Sequence, residues 1–353
     1  GTLANLNTYL ATVANQPTYV PVANASGTVE LTMTTSDGGN TGTGGPLSDT
    51  DSINLNITAV NDAPLLASGS TLSYTENQVA QAINGSLTVS DADNATLASA
   101  TVSITGNFQA SQDVLGFTAG TSYGNITGSY NAATGVLTLS SAGNTATVAQ
   151  WQAALRAVTY ANTSDNPSTL ARTISYQIDD GQAANHASNT VTSTVNVAAV
   201  NDAPVNAMPA SYTTNEDTSL KLSGLSVADV DAGSGTLTVT LSVGSGTLTA
   251  ASAGGVTVTG SGTGSIVLSG TRANLNTYLA TAANQPTYVP VANANGTVAL
   301  TMTTSDGGNT GTGGPLNDTD SININITAVA DTPSLSFGAL VYTATSITSA
   351  NAT

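Results

Sequence analysis

The stretch AVNDAPLLASGSTLSYTEN, residues 59–77, contains the features that decide how this chain is organised. It places Asp62 directly before an Ala-Pro pair, and Glu76 follows fourteen residues later at the end of an alternating run. A second stretch, AVNDAPVNAMPASYTTNED, begins at Ala199 and repeats the arrangement. Recurrence of a motif along a chain indicates tandem copies of one structural unit.

The longer repeats define the domain boundaries. A stretch that begins at Ala4 reads ANLNTYLATVANQPTYVPVANASGTVELTMTTSDGGNTGTGGPLSDTDSINLNITAVNDAP, and a nearly identical stretch begins 269 residues later. A diverged copy between them ends at the second NDAP. We predict the C-terminal half of a repeat (1–62), two whole repeats (63–202 and 203–331), and the start of a further repeat or an exchanged strand (332–353). Each whole repeat is long enough to bury its own core.

The hydrophobic pattern indicates an all-β fold. Runs such as TLTVTLSV (236–243) and SININITAV (321–329) alternate with period two, which is typical of half-buried strands. Each whole repeat contains about seven such runs separated by Gly, Asn and Asp turns, and this order predicts tandem Greek-key β-sandwich domains. Before the last two strands, Val148, Trp151 and Leu155 share one helical face. We therefore predict a short helix there, with Trp151 in the core.

Composition excludes several classes of function. The chain has 21 Asp and Glu, 4 Lys and Arg, and a net charge of −17, so nucleic acid is excluded as a partner. It has no cysteine, which rules out disulfides, zinc–thiolate sites and thiol nucleophiles within it. No stretch has the pattern of a membrane span, so we expect no membrane insertion of this segment. The single histidine, His186, lies in a polar turn without a Ser or Cys partner, and we expect no enzymatic activity.

The acidic residues fall at the ends of predicted strands. In the second whole repeat, Asp229 and Asp231 follow the second strand and Asp306 follows the penultimate one, so these turns meet where the NDAP linker enters. Glu76 closes the first strand of the preceding repeat and faces the same junction. Carboxylates gathered in this way repel one another unless a cation neutralises them. Calcium suits such a site, because it takes about six to eight oxygen ligands.

The predicted calcium ligands come from three recurring elements, namely the NDAP linkers, the glutamates that close the first strands, and the turns after the second and penultimate strands. They are Asn61, Asp62, Glu76, Asp91, Asp93, Asp180, Asn201, Asp202, Glu216, Asp229, Asp231, Asp306 and Asp331. Asp165 and Asp179 remain open between a calcium role and a turn role. A turn role alone is predicted for Asp49, Asp51, Asp113, Asp318 and Asp320.

Taken together, the VNDAP linker, the glutamate that closes the first strand, the D-x-D turn and the Asp after the penultimate strand resemble the calcium ligands of cadherin repeats. The whole unit is similar to the cadherin-like tandem repeats of giant bacterial surface adhesins, over residues 1–331. The resemblance implies cadherin/Ig-like sandwiches, calcium as the bound ion, and a secreted or surface-exposed array in adhesion, aggregation or biofilm. Two departures weaken single sites: Ala330 replaces the linker Asn, and the connection before the penultimate strand lacks an acidic D-x-E.

The leading functional prediction is a non-enzymatic, calcium-stiffened extender segment of a large bacterial cell-surface adhesin or fibre. Its expected location is extracellular or at the bacterial cell surface, and its partners are neighbouring repeats of the same chain. The alternative is a self-assembling extracellular filament or sheath subunit, joined to other copies by lateral contacts or strand exchange. Carbohydrate binding by a sandwich face is the weakest alternative, because the chain has 1 Trp and 11 Tyr and no evident aromatic platform.

Overall fold

The structure is a computed structural model that describes residues 1–39, 42–308, 310–333 and 338. The chain divides into two compact units, residues 1–200 and 201–353, and each is described by itself. The predicted start of a further repeat, residues 332–353, lies largely outside the described residues.

The first unit begins with residues 1–62, the predicted half-repeat. Helix α1 (Leu3–Ala11) is capped by the Thr2 side chain and followed by a 3-10 turn, Val13–Asn15. Strands β1 (Gly27–Ser36) and β2 (Ser48–Ile57) then form an antiparallel hairpin. None of the residues of α1 is buried. The apolar side chains of the half-repeat therefore remain largely in solvent.

The first whole domain follows. Its elements are β3 (Leu65–Ala67), β4 (Thr71–Thr75), β5 (Gln81–Ala82), β6 (Thr88–Ser90), β7 (Thr96–Leu97), β8 (Ser99–Gly106), β9 (Asp113–Gly116), β10 (Ile126–Asn131), β11 (Val136–Ser141), β12 (Ala146–Thr147), helix α2 (Val148–Arg156), β13 (Thr159–Asn162), β14 (Arg172–Asp179) and β15 (Val191–Ala198), with 3-10 turns at Thr121–Tyr123 and Ala142–Asn144. The prediction of seven strands was wrong in number. Turns break the predicted runs, and the short strands β9 and β13 carry too little alternation to be recognised.

The sheets of this domain form the predicted sandwich. One sheet has six strands in the order β10-β11-β8-β14-β15-β4, and a smaller sheet has the order β5-β13-β9. The first strand of the large sheet along the chain, β4, pairs with the last, β15, in parallel, with Thr71 opposite Thr194. The other pairs in the domain are antiparallel. This topology confirms the all-β fold class.

Helix α2 confirms the predicted helix and its core residue. Thr147 and Gln150 form a reciprocal capping box at its start, which satisfies two backbone donors. Trp151 is fully buried, and its indole Nε1 donates a hydrogen bond to the carbonyl oxygen of Leu97 at 3.0 Å. Within the described ranges, no helix has the length and apolar character needed to cross a bilayer.

The second whole domain repeats the architecture. Its elements are β16 (Val205–Ala207), β17 (Ser211–Asn215), β18 (Leu220–Lys221), β19 (Ser226–Ala228), β20 (Thr236–Val243), β21 (Thr247–Thr249), β22 (Thr257–Thr259), β23 (Ser265–Thr271), helix α3 (Arg272–Ala280), β24 (Thr287–Val289), β25 (Gly296–Ser305) and β26 (Asn317–Thr327). The large sheet has the order β17-β26-β25-β20-β23-β22, and β17 again pairs with the last strand in parallel.

The two near-identical copies show what completes a domain. Leu279 of α3 is 0% exposed, whereas its counterpart Leu10 in α1 is 39% exposed. Met302 of β25 is also 0% exposed, and its counterpart Met33 in β1 is 53% exposed. The sequence around each pair is nearly identical, so burial here depends on the strands β16 to β23 that cover the second copy.

A buried ion pair corrects one turn prediction. Asp113 is buried at the start of β9, and its carboxylate lies 3.1 Å from Nε of Arg172, which is also buried. Tyr160 and Asn162 donate to the same carboxylate at 2.6 and 2.8 Å. A buried charge requires such partners, and the turn role predicted for Asp113 is therefore wrong. The other predicted turn acids lie within strands β2 and β26: Asp49, Asp51, Asp318 and Asp320.

Candidate functional site

In the first unit, the NDAP linker meets the turn after β6 and the loop after β14. We call this group the first linker cluster; it consists of Asn61, Asp62, Asp91, Asp93, Asn94 and Asp180. The Asn61 side-chain amide donates to Oδ2 of Asp180 at 2.8 Å and to the carbonyl oxygen of Ala184 at 3.1 Å. The backbone N–H of Asp62 donates to Oδ2 of Asp93 at 3.4 Å. Three elements that are distant in sequence therefore converge as their strand order indicates.

The D-x-D turn of this cluster is held by local hydrogen bonds. Oδ1 of Asp91 accepts from the backbone N–H groups of Asp93 and Asn94 at 3.1 and 2.8 Å. Its second oxygen, Oδ2, is buried without a hydrogen-bond partner. The turn geometry thus uses one oxygen of Asp91 and leaves the other for a ligand.

The second unit contains the corresponding group. We call it the second linker cluster; it consists of Asn201, Asp202, Asp229, Asp231, Asp306 and Thr310. The Asn201 side-chain amide donates to Oδ2 of Asp306 at 2.5 Å. The backbone N–H of Asp202 and the hydroxyl of Thr310 donate to Oδ2 of Asp231 at 3.3 and 2.8 Å. The linker, the D-x-D turn and the last loop converge in the same way as in the first cluster.

The second cluster concentrates negative charge away from water. Asp229 and Asp231 are 3% and 4% exposed. Burial and the neighbouring Asp231 raise the pKa of Asp229, while backbone hydrogen bonds from Ala232 and Asp231 act in the opposite direction. The guanidinium of Arg272 donates to the main-chain oxygen of Asp229 at 2.7 Å. The two adjacent carboxylates therefore favour a cation between or beside them.

Oδ1 of Asn201, Oδ2 of Asp229 and Oδ1 of Asp231 are buried in this cluster without a hydrogen-bond donor. Buried acceptors are normally paired, and leaving one unpaired costs about 1–3 kcal/mol. Carboxylate and amide oxygens are the donors that calcium takes from proteins. The chemistry of these donors fits a hard cation.

Carboxylates alone do not assemble a metal centre. In the ranges that the structure describes, no three His, Cys, Asp or Glu side chains are grouped closely enough to hold a metal ion by themselves. A cation at either linker cluster would therefore also need amide and main-chain oxygens, and both clusters contain an Asn side chain.

The predicted glutamate ligands lie at the end of each domain where the chain leaves it, opposite to the end that holds the linker cluster of that domain. Oε2 of Glu76 accepts from the backbone N–H of Val200 at 2.7 Å, beyond the end of β15. Oε1 of Glu216 accepts in the same way from Val329 at 2.6 Å, beyond the end of β26. Each glutamate is buried beside the exit of its domain. Because Glu76 and Asn201 belong to different units, their joint site stays a prediction. Asp331, the last predicted ligand, is exposed after β26.

The two acids left open lie outside the linker clusters. Asp165 is exposed between β13 and β14. Asp179 accepts from the backbone N–H of Gly181 at 2.7 Å, and its Oδ2 lies 2.5 Å from Nδ1 of the half-exposed His186. Asp179 therefore stabilises its own loop.

Sequence reasoning missed Asn94 and Thr310 as members of the clusters. Asn94 follows the D-x-D turn directly in the stretch DADN, which is a readable signal. Thr310 lies in a Gly-rich loop that has no distinctive pattern.

Comparison with known proteins yields similarities to solved structures alone. No family model matches the chain, and no curated protein matches it. The human desmocollin-1 ectodomain is 14% identical, with 86% of this chain and 47% of that one covered, at a TM-score of 0.27. Mouse protocadherin-24 EC1-3 is 17% identical, with 85% and 80% covered, at a TM-score of 0.31. The D00-D0 domain of intimin is 16% identical, with 74% and 98% covered, at a TM-score of 0.22.

The chain spans about half the length of the desmocollin-1 ectodomain that it matches. At these identities and TM-scores the similarities carry no argument about function. The fold is therefore described from its own sheet topology.

Proposed function

We propose that this chain is a non-enzymatic, calcium-binding extender segment of an extracellular adhesion protein. The observation that supports the proposal best is the second linker cluster, where three buried oxygens of Asn201, Asp229 and Asp231 have no hydrogen-bond donor. Two adjacent buried carboxylates are stable at neutral pH when a cation compensates them.

The residues that would hold calcium are the acids and the linker asparagines of the two linker clusters, which in the first cluster are Asn61, Asp62, Asp91, Asp93 and Asp180. In the second cluster they are Asn201, Asp202, Asp229, Asp231 and Asp306. Calcium would supply positive charge and draw the NDAP linker, the D-x-D turn and the last loop together. Because the linker connects successive domains, ordering it restricts how freely those domains move.

We place the segment in a bacterial surface adhesin or fibre that acts in adhesion or biofilm. The motifs that resemble adhesin repeats support this setting, together with the absence of cysteine and the net charge of −17. The near-identity of the stretches that begin at Ala4 and Ala273 suits interchangeable spacers, since a receptor site would more reasonably be confined to one repeat.

The test is small-angle X-ray scattering of the full chain in calcium and in chelator, with a thermal melt in each condition. Calcium should lengthen and stiffen the particle and raise its melting temperature. The double variant Asp229→Asn/Asp231→Asn should respond less, because it loses the two adjacent buried carboxylates of the second cluster.

If neither measurement changes on adding calcium, the acids are turn residues and the proposal falls. Static light scattering then distinguishes the alternative function, because a filament or sheath subunit would form polymers without any added partner. A chain that does not respond to calcium in either measurement and stays monomeric in both conditions would exclude both functions.

A further inference from the structure

The two linker clusters differ at the residue that follows the D-x-D turn. The first cluster has Asn94 in the stretch DADN, and the second has Ala232 in the stretch DVDA. The Asn94 side-chain nitrogen donates to Oδ1 of Asn61 at 2.8 Å, Oδ1 of Asp93 at 3.3 Å and Oδ2 of Asp180 at 3.5 Å. One amide group therefore faces one oxygen from each of the three converging elements.

In the second cluster, two of the three corresponding oxygens have no hydrogen-bond donor. Ala232 has only a methyl group, which cannot donate as the Asn94 amide does. Oδ1 of Asn201 corresponds to that of Asn61, and Oδ1 of Asp231 corresponds to that of Asp93; both are buried without a donor. Two of the three oxygens that Asn94 satisfies in the first cluster thus have counterparts without a donor in the second, while the third counterpart, Oδ2 of Asp306, accepts from the Asn201 amide.

We propose that the amide of Asn94 takes the place of the cation in the first linker cluster, so that the second cluster fills with calcium first. This inference rests on the proposed function. The nitrogen of an amide carries partial positive charge and donates where a metal ion would accept. Calcium at the first cluster must displace this group, and its binding is weakened by the hydrogen bonds that are lost.

One further contact and one difference in burial act in the same direction. Nε2 of Gln182 donates to Oδ1 of Asn94 at 3.3 Å, which orients the amide with its nitrogen toward the ligand oxygens. Asp93 is exposed, whereas its counterpart Asp231 is buried. The buried carboxylate of Asp231 is less screened by water than that of Asp93 and therefore attracts a cation more strongly. At intermediate calcium concentrations one linker would be loaded while the other is not, and the array would stiffen in steps.

The test is calorimetric titration of the full-length chain with calcium chloride, with one cluster disabled at a time. Asp229→Asn/Asp231→Asn isolates the first cluster, and Asp91→Asn/Asp93→Asn isolates the second. We expect the second cluster to bind at least about tenfold more tightly, the equivalent of one lost hydrogen bond to a charged group.

Asn94→Ala, made in the chain whose second cluster is disabled, should tighten calcium binding at the first cluster by about tenfold. Without calcium, the same substitution should lower the melting temperature, because Oδ1 of Asn61 and Oδ1 of Asp93 lose this donor and Oδ2 of Asp180 keeps only the Asn61 amide. Asn125→Ala is the matched control, since that exposed side chain donates to the carbonyl oxygen of Ala142 outside the cluster. It should leave calcium binding unchanged.

The reciprocal variant, Ala232→Asn, should weaken the second cluster by about tenfold. Ala232 is buried, so the variant is first checked by its melting temperature, and Asn94→Ala decides the matter alone if it does not fold. If Asn94→Ala leaves calcium binding at the first cluster unchanged or weakens it, this inference is overturned, but the proposed function is not. If neither cluster binds calcium, both this inference and the proposed function are refuted.

Discussion

Asp229→Asn should have opposite effects on stability in the absence and in the presence of calcium. The substitution keeps the shape of the side chain. Oδ1 can still accept from the backbone N–H groups of Asp231 and Ala232, now at 3.3 and 2.8 Å. The second oxygen is replaced by an NH₂ group, which can donate to the carboxylate of Asp231 where a carboxylate oxygen had faced it.

Without calcium, the variant should be more stable than the wild type. Two unit charges about 4 Å apart interact by about 4 kcal/mol at an effective dielectric constant of about 20. Burial and the neighbouring Asp231 raise the pKa of Asp229, so the folded state disfavours its charge. We therefore expect a gain of about 1–2 kcal/mol in the free energy of unfolding at neutral pH, close to one hydrogen bond to a charged group.

The pH dependence follows from the raised pKa of Asp229. The folded state holds this proton more tightly than the unfolded state, whose pKa is near 3.8. The wild type should therefore lose stability as the pH rises from about 3.8 through the higher folded-state pKa. The variant lacks this dependence.

With calcium, the order should reverse. A ligand at a hundred times its dissociation constant stabilises the folded state by about 2.7 kcal/mol. The variant lacks one carboxylate ligand and should lose much of this gain. At saturating calcium the wild type should therefore become the more stable protein.

The assay is urea unfolding of both proteins in chelator and in excess calcium. Asp320→Asn is the control, because it makes the same change in net charge at an exposed position of β26. If Asp229→Asn destabilises the chain by the same amount in both conditions, Asp229 is a structural turn residue and the argument for a cation is refuted.

Three further predictions concern stability. Arg172→Met should lower the free energy of unfolding of its domain by about 3–5 kcal/mol, because it leaves the carboxylate of Asp113 buried and uncompensated; a double-mutant cycle with Asp113→Asn would show little coupling if this is wrong. Burial raises the pKa of Tyr212 from 10.0 to about 12, so stability should fall as the pH rises through this range, and Tyr212→Phe should reduce that slope in pH-dependent urea unfolding. Leu279→Ala should cost about 2–5 kcal/mol in thermal melts and Leu10→Ala much less, since the two residues differ in burial while their local sequences are nearly identical; equal losses would contradict this.

The structure could be predicted best where the residues that determine an element lie close together in the sequence. The helix around Trp151 could be predicted because its apolar spacing and its capping residues lie within one short segment. The convergence of Asn61, Asp93 and Asp180 could be predicted from strand order, since the ends of a sandwich collect particular turns.

Other features depend on contacts that no spacing encodes. Asp113 and Arg172 are separated by 59 residues, and neither lies in a motif, so their pairing inside the core had no signal. The role of Asn94 depends on whether its amide reaches three oxygens from other elements, which is a matter of geometry. The same holds for Thr310, whose partner Asp231 is 79 residues away.

The parallel pairing of the first and last strands of each large sheet determines how a domain carries tension. In the first whole domain, β4 lies alongside β15 from Thr71 opposite Thr194 to Thr75 opposite Ala198. Strands that run in the same direction place the entry of the chain at one end of the domain and its exit at the other. A pull on the two ends therefore loads these hydrogen bonds in shear, all at once, whereas an antiparallel terminal pair would open one bond at a time. Each domain should resist force up to a threshold and then yield as a whole.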